Sequence, residues 1–238
     1  MAEPSATRVT NHDGEWMVSD VAQENTMRVP AKSLSDYSWL VRIFFWNQKK
    51  KYGQVLEPAM LWGRSPKLFL GVAFLYGMID RKSSPIEPAL RSLITVRVSQ
   101  VNECRFCMDL NSATLLKRGA SIEKVEALDN WRHSKWFGER EQVALEFAEA
   151  VTRSDLSVSD ELMDRLRRHF DDDAVIELTG LIAFQNLSSK FNSALGGPSP
   201  KGFASSAARE RQTSGPPDAV WRGGRNLPIS DNEAPALP

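Results

Sequence analysis

Between Leu34 and Leu195 the apolar positions recur at three- and four-residue steps, and no run shows the two-residue alternation of a half-buried strand. The pattern predicts an all-α fold, and start and stop signals divide it into segments. Ser35 and Asp36 can cap a helix reaching about Tyr52, which Gly53 ends. Ser65 and Pro66 open a second helix, with Leu68, Val72, Leu75, Tyr76 and Ile79 as its apolar stripe. Pro85 and Pro88 precede a third, over about 87–100. Asn102 is expected to cap a fourth, from Glu103 to Arg118, stopped by Gly119. Ser121 begins a short helix through Leu128, and Asp129 to Gly138 reads as a loop with two tryptophans. Glu139 to Arg153 is helical again. Ser157 and Asp160 have capping-box spacing and open a helix ending near Phe170. Asp171, Asp172 and Asp173 place negative charge where the dipole of a last helix, Ala174 to Leu195, favours it.

The ends behave differently. Residues 1–33 lack a sustained period and read as an N-terminal arm. After Leu195, Gly and Pro supply 13 of 43 residues, too many for helices or a core. The expected organisation is an arm (1–33), a helical domain (34–203) and a disordered or extended tail (204–238). Thirty basic and thirty acidic residues cancel, so no net charge draws the chain to nucleic acid or anionic lipid. The longest strongly apolar run, Leu68 to Ile79, is shorter than the roughly twenty residues a spanning helix needs. The first residues lack the apolar stretch of a secretory signal, so a cytoplasmic protein is expected. No GxGxxG or P-loop occurs and no nucleotide cofactor is expected. The three histidines (His12, His133, His169) and two cysteines are too scattered for a structural zinc site.

The chemistry concentrates in Cys104-Arg105-Phe106-Cys107. These two cysteines are all the chain has, and they stand three apart. Buried thiols filling core volume would account for them. A reactive pair accounts for them better, because both fall in the first turns of a predicted helix. Free N–H groups and the dipole there stabilise a thiolate. Arg105 adds positive charge, and Glu103 and Asp109 oppose it.

The stretch LRSLITVRVSQVNECRFCMDLNSATLLKRGAS resembles the core motif of the carboxymuconolactone decarboxylase and alkylhydroperoxidase D-like superfamily. An apolar helix, Leu93 to Gln100, leads into the N-x-C-x-x-C pattern of Asn102 to Cys107, then a helix stopped by Gly119. The segment Phe191 to Gly196 also resembles a family feature. The resemblance implies an all-helical, alkylhydroperoxidase D-like bundle that forms homo-oligomers. In the peroxidase members, it implies a CxxC pair that reduces a hydroperoxide and is reset by a dithiol partner. Cys107 would be the attacking sulfur and Cys104 its more accessible partner. The decarboxylase members act on a lactone ring and generally lack the pair.

Two positions depart from the peroxidase pattern. The relay glutamate is Ser92 and the relay histidine is Asn111, and neither is a proton base near neutral pH. Glu87, Glu103, Asp109 and His133 are the other candidate bases. Arg97 could face the thiols or pair with an acid on a neighbouring helix. His133, between Trp131 and Trp136, fits a solvated loop histidine better than a base. Lys49 to Lys51 read as a solvated face, and Phe44, Phe45, Trp46, Phe69 and Phe74 as core or subunit interface.

The expected function is a thiol-dependent oxidoreductase taking a small oxidised substrate, with no metal, nucleic-acid or membrane partner. Alternatives are a thiol-independent lyase on a small acid and a non-enzymatic oligomeric binding protein. Because general-base help contributes a factor of about 10² to 10⁴, peroxide turnover should be weak. The double variant Ser92→Glu, Asn111→His should raise it in a steady-state peroxide assay. No gain would mean that the pocket is not built for that reaction.

Overall fold

The structure, a computed structural model, describes residues 27–195 and two short strands, β1 (Val9–Thr10) and β2 (Trp16–Met17). The strands pair antiparallel, Val9 opposite Met17 and Thr10 opposite Trp16. Two residues are too few to show an alternating pattern, which is why the sequence reading has no strand here. The Pro/Gly-rich tail and His12 lie outside the described residues.

The helical domain follows the predicted order with several changes at its joints. Leu34–Asp36 is a 3₁₀ turn. The first helix, α1 (Trp39–Tyr52), starts later than expected and is capped by Ser38, not by Ser35 or Asp36. Gly53 ends it as predicted, at φ 75°. The sequence reading missed α2 (Glu57–Gly63), whose seven residues cannot establish a helical period. Pro58 in its first turn was the available signal. α3 (Pro66–Ile79), α4 (Pro88–Val101), α5 (Arg105–Lys117) and α6 (Ile122–Glu126) follow. The expected loop after α6 begins as a 3₁₀ helix, Ala127–His133. α7 (Glu139–Thr152) leads to α8 (Asp160–Arg167), capped by Ser159 rather than Ser157. α9 (Asp172–Leu195) closes the domain.

α4 is the centre of the packing. It touches α5, α7 and α9, and eight of its fourteen residues are buried. Leu93, Ile94, Val96 and Val98 join Leu115, Leu145, Ala148, Leu178 and Ile182 in the main core. Burial on several sides takes polar residues inward too, and Arg91, Ser92 and Ser99 are buried along with the apolar positions.

A second apolar cluster lies apart from it. Tyr37, Val41, Phe45, Leu56, Ala59, Trp62 and Phe69 gather around Phe106 and the two cysteines. The α1–α2–α3 unit thus forms a cover over the start of α5. Here the predicted stripe of α3 is corrected. Leu68, Leu75 and Tyr76 are exposed, and Phe69 is the buried residue of that helix. α3 is apolar on several faces, so periodicity alone could not choose the one that packs inward. Phe45 and Phe69 are core, whereas Phe44, Trp46 and Phe74 point outward. Lys49, Lys50 and Lys51 are exposed. No helix among the described residues is long and apolar enough to cross a membrane.

The cover depends on one close approach. A Cβ at Gly63 would stand 2.8 Å from Val41 Cγ1 and 3.0 Å from Phe45 Cζ. Gly63→Ala therefore forces α1 and α2 apart. We expect a loss of about 1–3 kcal/mol, read as a lower urea midpoint with an unchanged m-value. An unchanged midpoint would mean that the two helices slide apart freely.

Candidate active site

The cysteines owe their position to the turn between α4 and α5. Asn102 does not cap the helix that follows; it ends the helix that precedes. Its side-chain amide donates to Val98 O at 2.9 Å and to Asn186 Oδ1 on α9 at 2.8 Å. Glu103 then takes a left-handed conformation, φ 52°. Its N–H donates to Gln100 O at 3.0 Å, and the N–H of Cys104 donates to Ser99 O at 3.0 Å. These two bonds are a Schellman closure, with Glu103 where glycine is usual. α5 can then start at Arg105.

Cys104 is itself the N-cap of α5, its sulfur accepting the Cys107 N–H at 3.3 Å. Cys104 and Cys107 are joined as a disulfide, their Cα atoms 5.2 Å apart. Both are buried, with 3% and 4% exposure. On reduction, two sulfurs would stand among the free N–H groups of a helix N-terminus, a setting that lowers thiol pKa.

A seam of polar side chains lies beneath them, between α4, α5 and α9. Asn192 Nδ2 donates to Cys107 Sγ at 3.3 Å. Ser99 Oγ donates to Thr95 O at 2.6 Å and accepts from Asn111 and Gln185, both at 3.1 Å. Gln185 also donates to Ser189 Oγ at 2.9 Å. Asn111 is one turn beyond Cys107 on the same face of α5, but its amide turns to Ser99 and not to the sulfur. Ser92 is two turns before Ser99, about 10 Å along α4. There it accepts a hydrogen bond from Arg118 at 3.0 Å, beside the Arg118–Asp80 ion pair. The structure thus sets the two relay positions one after the other along the helix pair, with only Asn111 near the sulfurs.

Two of the other candidates are held in ion pairs. Arg97 pairs with Glu149 at 2.7 Å, as the structural reading expected, and does not face the thiols. Glu87 pairs with Arg140 at 2.6 Å. His133 is exposed, its Nδ1 2.9 Å from Asn130 Oδ1. Glu103 is exposed in the turn. Burial pushes the Asp109 carboxyl up, with Arg105 opposing. Two residues beyond Cys107, Asp109 points to about the opposite side of α5.

Two buried polar groups were missed, one of them at the sulfurs. Asn192 lies within the Phe191–Gly196 segment, where the family resemblance was the available signal. Glu57 begins the unpredicted α2; burial pushes its carboxyl up, and its Oε2 is buried without a hydrogen-bond partner. Among the described residues no group of three His, Cys, Asp or Glu could hold a metal ion.

Comparison with known proteins fits this geometry. A model of the carboxymuconolactone decarboxylase family matches residues 70–150. The uncharacterized protein YnjA of Escherichia coli (strain K12) is 42% identical over 162 residues, 68% of this chain and 89% of its own length. The uncharacterized protein YdfG of Bacillus subtilis (strain 168) is 33% identical over 116 residues, 48% and 79% of the two chains. Among solved structures, an uncharacterized peroxidase-related protein with an alkylhydroperoxidase AhpD core from Ralstonia eutropha JMP134 superposes with a TM-score of 0.69. It is 20% identical and covers 75% of this chain and 94% of its own. The debrominase Bmp8, as a cysteine-to-alanine variant in complex with 2,3,4-tribromopyrrole, gives 0.66 at 22% identity, over 76% and 96%. These two likenesses establish the fold.

The Arg97 contact generates its own test. Glu149 is 4% exposed and also accepts from Trp131 Nε1 at 2.8 Å and from Arg132 at 2.6 Å. Burial pulls its carboxyl up, but the bonds from Arg132, Trp131 and Arg97 outweigh that and hold it below its ordinary 4.5. Its ion pairs therefore stabilise the fold fully above that value and fade as pH falls through the lower folded one. Glu149→Gln should cost about 3–5 kcal/mol at neutral pH, and flatten the acid limb of stability against pH. An unchanged acid limb would refute the role.

Proposed function

The chain belongs to the carboxymuconolactone decarboxylase family, and on that footing we propose that it is a thiol-dependent oxidoreductase working through a Cys104–Cys107 dithiol/disulfide cycle. The observation that carries this reading is the joined pair at the N-terminus of α5. The Cys107 thiolate attacks the outer oxygen of a hydroperoxide. The O–O bond breaks, the alkoxide takes a proton and leaves as alcohol, and Cys107 becomes a sulfenic acid. The sulfur of Cys104 displaces the hydroxyl, which leaves as water, and the disulfide forms. A dithiol then supplies two electrons and two protons and is itself oxidised.

Seen this way, the cover of Tyr37, Val41, Phe45, Leu56 and Trp62 keeps solvent from the sulfurs and must move for a substrate to enter. Its apolar lining favours an organic hydroperoxide over hydrogen peroxide. Trp39, Ile43 and Trp46 on α1 and Phe74, Tyr76 and Met78 on α3 are large apolar side chains left exposed. Such a surface supports a homo-oligomer. A thiol cycle reset by a dithiol suits a reducing compartment such as the cytoplasm.

The test counts thiols after acid quenching and unfolding. We expect none in the oxidised protein, two after a dithiol, and none again after one equivalent of cumene hydroperoxide. Cys104→Ser and Cys107→Ser should each abolish sustained turnover. Two thiols that persist through peroxide would sink the reading. Full activity of either variant on a small lactone acid would favour the lyase.

A further inference from the structure

Asn192 makes a contact that the cycle above does not use. Its side chain is 4% exposed, and its Nδ2 donates to Cys107 Sγ. Its Oδ1 is buried and has no hydrogen-bond partner. Buried amide oxygens are rarely left unpaired, and such an orphan calls for an explanation. In the disulfide neither sulfur carries a proton, so no S–H can reach it.

We propose that Asn192 is the positioning residue of Cys107, holding its thiolate by N–H donation and its thiol by accepting S–H. The inference rests on the thiol cycle above. A side-chain amide offers both a donor and an acceptor. Rotation about the Cβ–Cγ bond presents the one or the other to the same sulfur. The thiolate is the better acceptor, because a charge-assisted bond is roughly twice as strong as a neutral one. Asn192 therefore does for Cys107 part of what Asn111, turned toward Ser99, does not.

The step it serves is opening of the disulfide. A thiolate of the reducing dithiol attacks Cys104 Sγ, the S–S bond breaks, and its electron pair leaves on Cys107. Asn192 Nδ2 faces that leaving sulfur. The second thiolate of the reductant then attacks the mixed disulfide and frees Cys104, which takes up a proton. The pair has gained two electrons and the reductant has become a disulfide. A leaving thiol of lower pKa departs faster, so the amide speeds this step.

Other charges around Cys107 do not supply the same contact. Glu103 in the turn and Arg105 on α5 are exposed, and Asp109 on α5 lies on about the opposite face. On α9, Lys190 is exposed. On α4, Arg97 is held by Glu149; Arg64, just after α2, donates to Pro30 O, and Glu57 on α2 carries the other unpaired oxygen. Arg42 on α1 and Lys67 on α3 point to solvent.

The experiment titrates the full chain carrying Cys104→Ser, in which one thiol remains, by thiolate absorbance near 240 nm. This needs neither a substrate nor an open cover. Adding Asn192→Leu, similar in size without a donor, should raise the midpoint by about one pH unit. Asn192→Asp, of the same shape but with a carboxylate beside the sulfur, should raise it further. In the two-cysteine protein, both substitutions should slow disulfide reduction by dithiothreitol several-fold. Unchanged midpoints in folded variants would overturn the proposal, and should the leucine variant not fold, the aspartate variant decides alone. Failure of peroxide turnover with the midpoints shifted would instead count against the thiol-cycle reading.

Discussion

One tight reversal of the chain underlies everything at the sulfurs. Between Val101 and Arg105 one helix ends and the next begins, and the turn is closed by backbone bonds from Glu103 and Cys104. Left-handed backbone at a residue with a Cβ costs about 1–2 kcal/mol, so the surroundings must hold Glu103 in place. They do so by anchoring the residue before it. Asn102 ties the end of α4 to Asn186 on α9, and Ser193 donates to Asn102 O at 3.2 Å. With the turn fixed, Cys104 becomes the cap of α5 and Cys107 comes to rest one turn further on, over α9.

The pair consequently sits at a boundary between two kinds of surroundings. On one side is the aromatic and aliphatic cover from α1, α2 and α3, with Trp62 stacked on Phe191 at 3.5 Å between ring centroids. On the other is a seam of neutral amides and hydroxyls: Ser99, Asn111, Gln185, Ser189 and Asn192. Such groups place no net charge beside the sulfurs, and all but Asn192 bond within the seam. Full charges are kept elsewhere, in the Glu149 clamp and around Asp80, where Arg91 and Arg118 converge. This division separates charges that hold the helices together from dipoles that can act on a reacting sulfur.

Much of the helical order was legible because long helices repeat their apolar positions often enough to be counted. α7 and α9 are of this kind, while Gly53 and Gly119 marked the ends of α1 and α5, at φ 75° and φ 105°. Short elements were not legible, since α2 and the two strands offer too few residues for any period. Caps were read less well than helices. Ser159 was passed over for Ser157, and Asn102 was assigned to the wrong helix, because an asparagine between two helices can serve either one. The chemistry was partly legible: a CxxC at a helix start was visible, whereas Asn192 lies 85 residues from Cys107 and nothing local links them.

The amino-acid sequence by itself determined the helical class and the cysteine pair at a helix tip. These follow from periodicity, capping and side-chain chemistry, which act over a few neighbouring residues. The tertiary structure alone decided that α3 turns its Phe69 face inward, that Arg97 serves Glu149, and that an asparagine from the last helix reaches the second sulfur. Those outcomes depend on which faces meet across the bundle. Contacts between residues far apart in the chain exist only once α4 is surrounded.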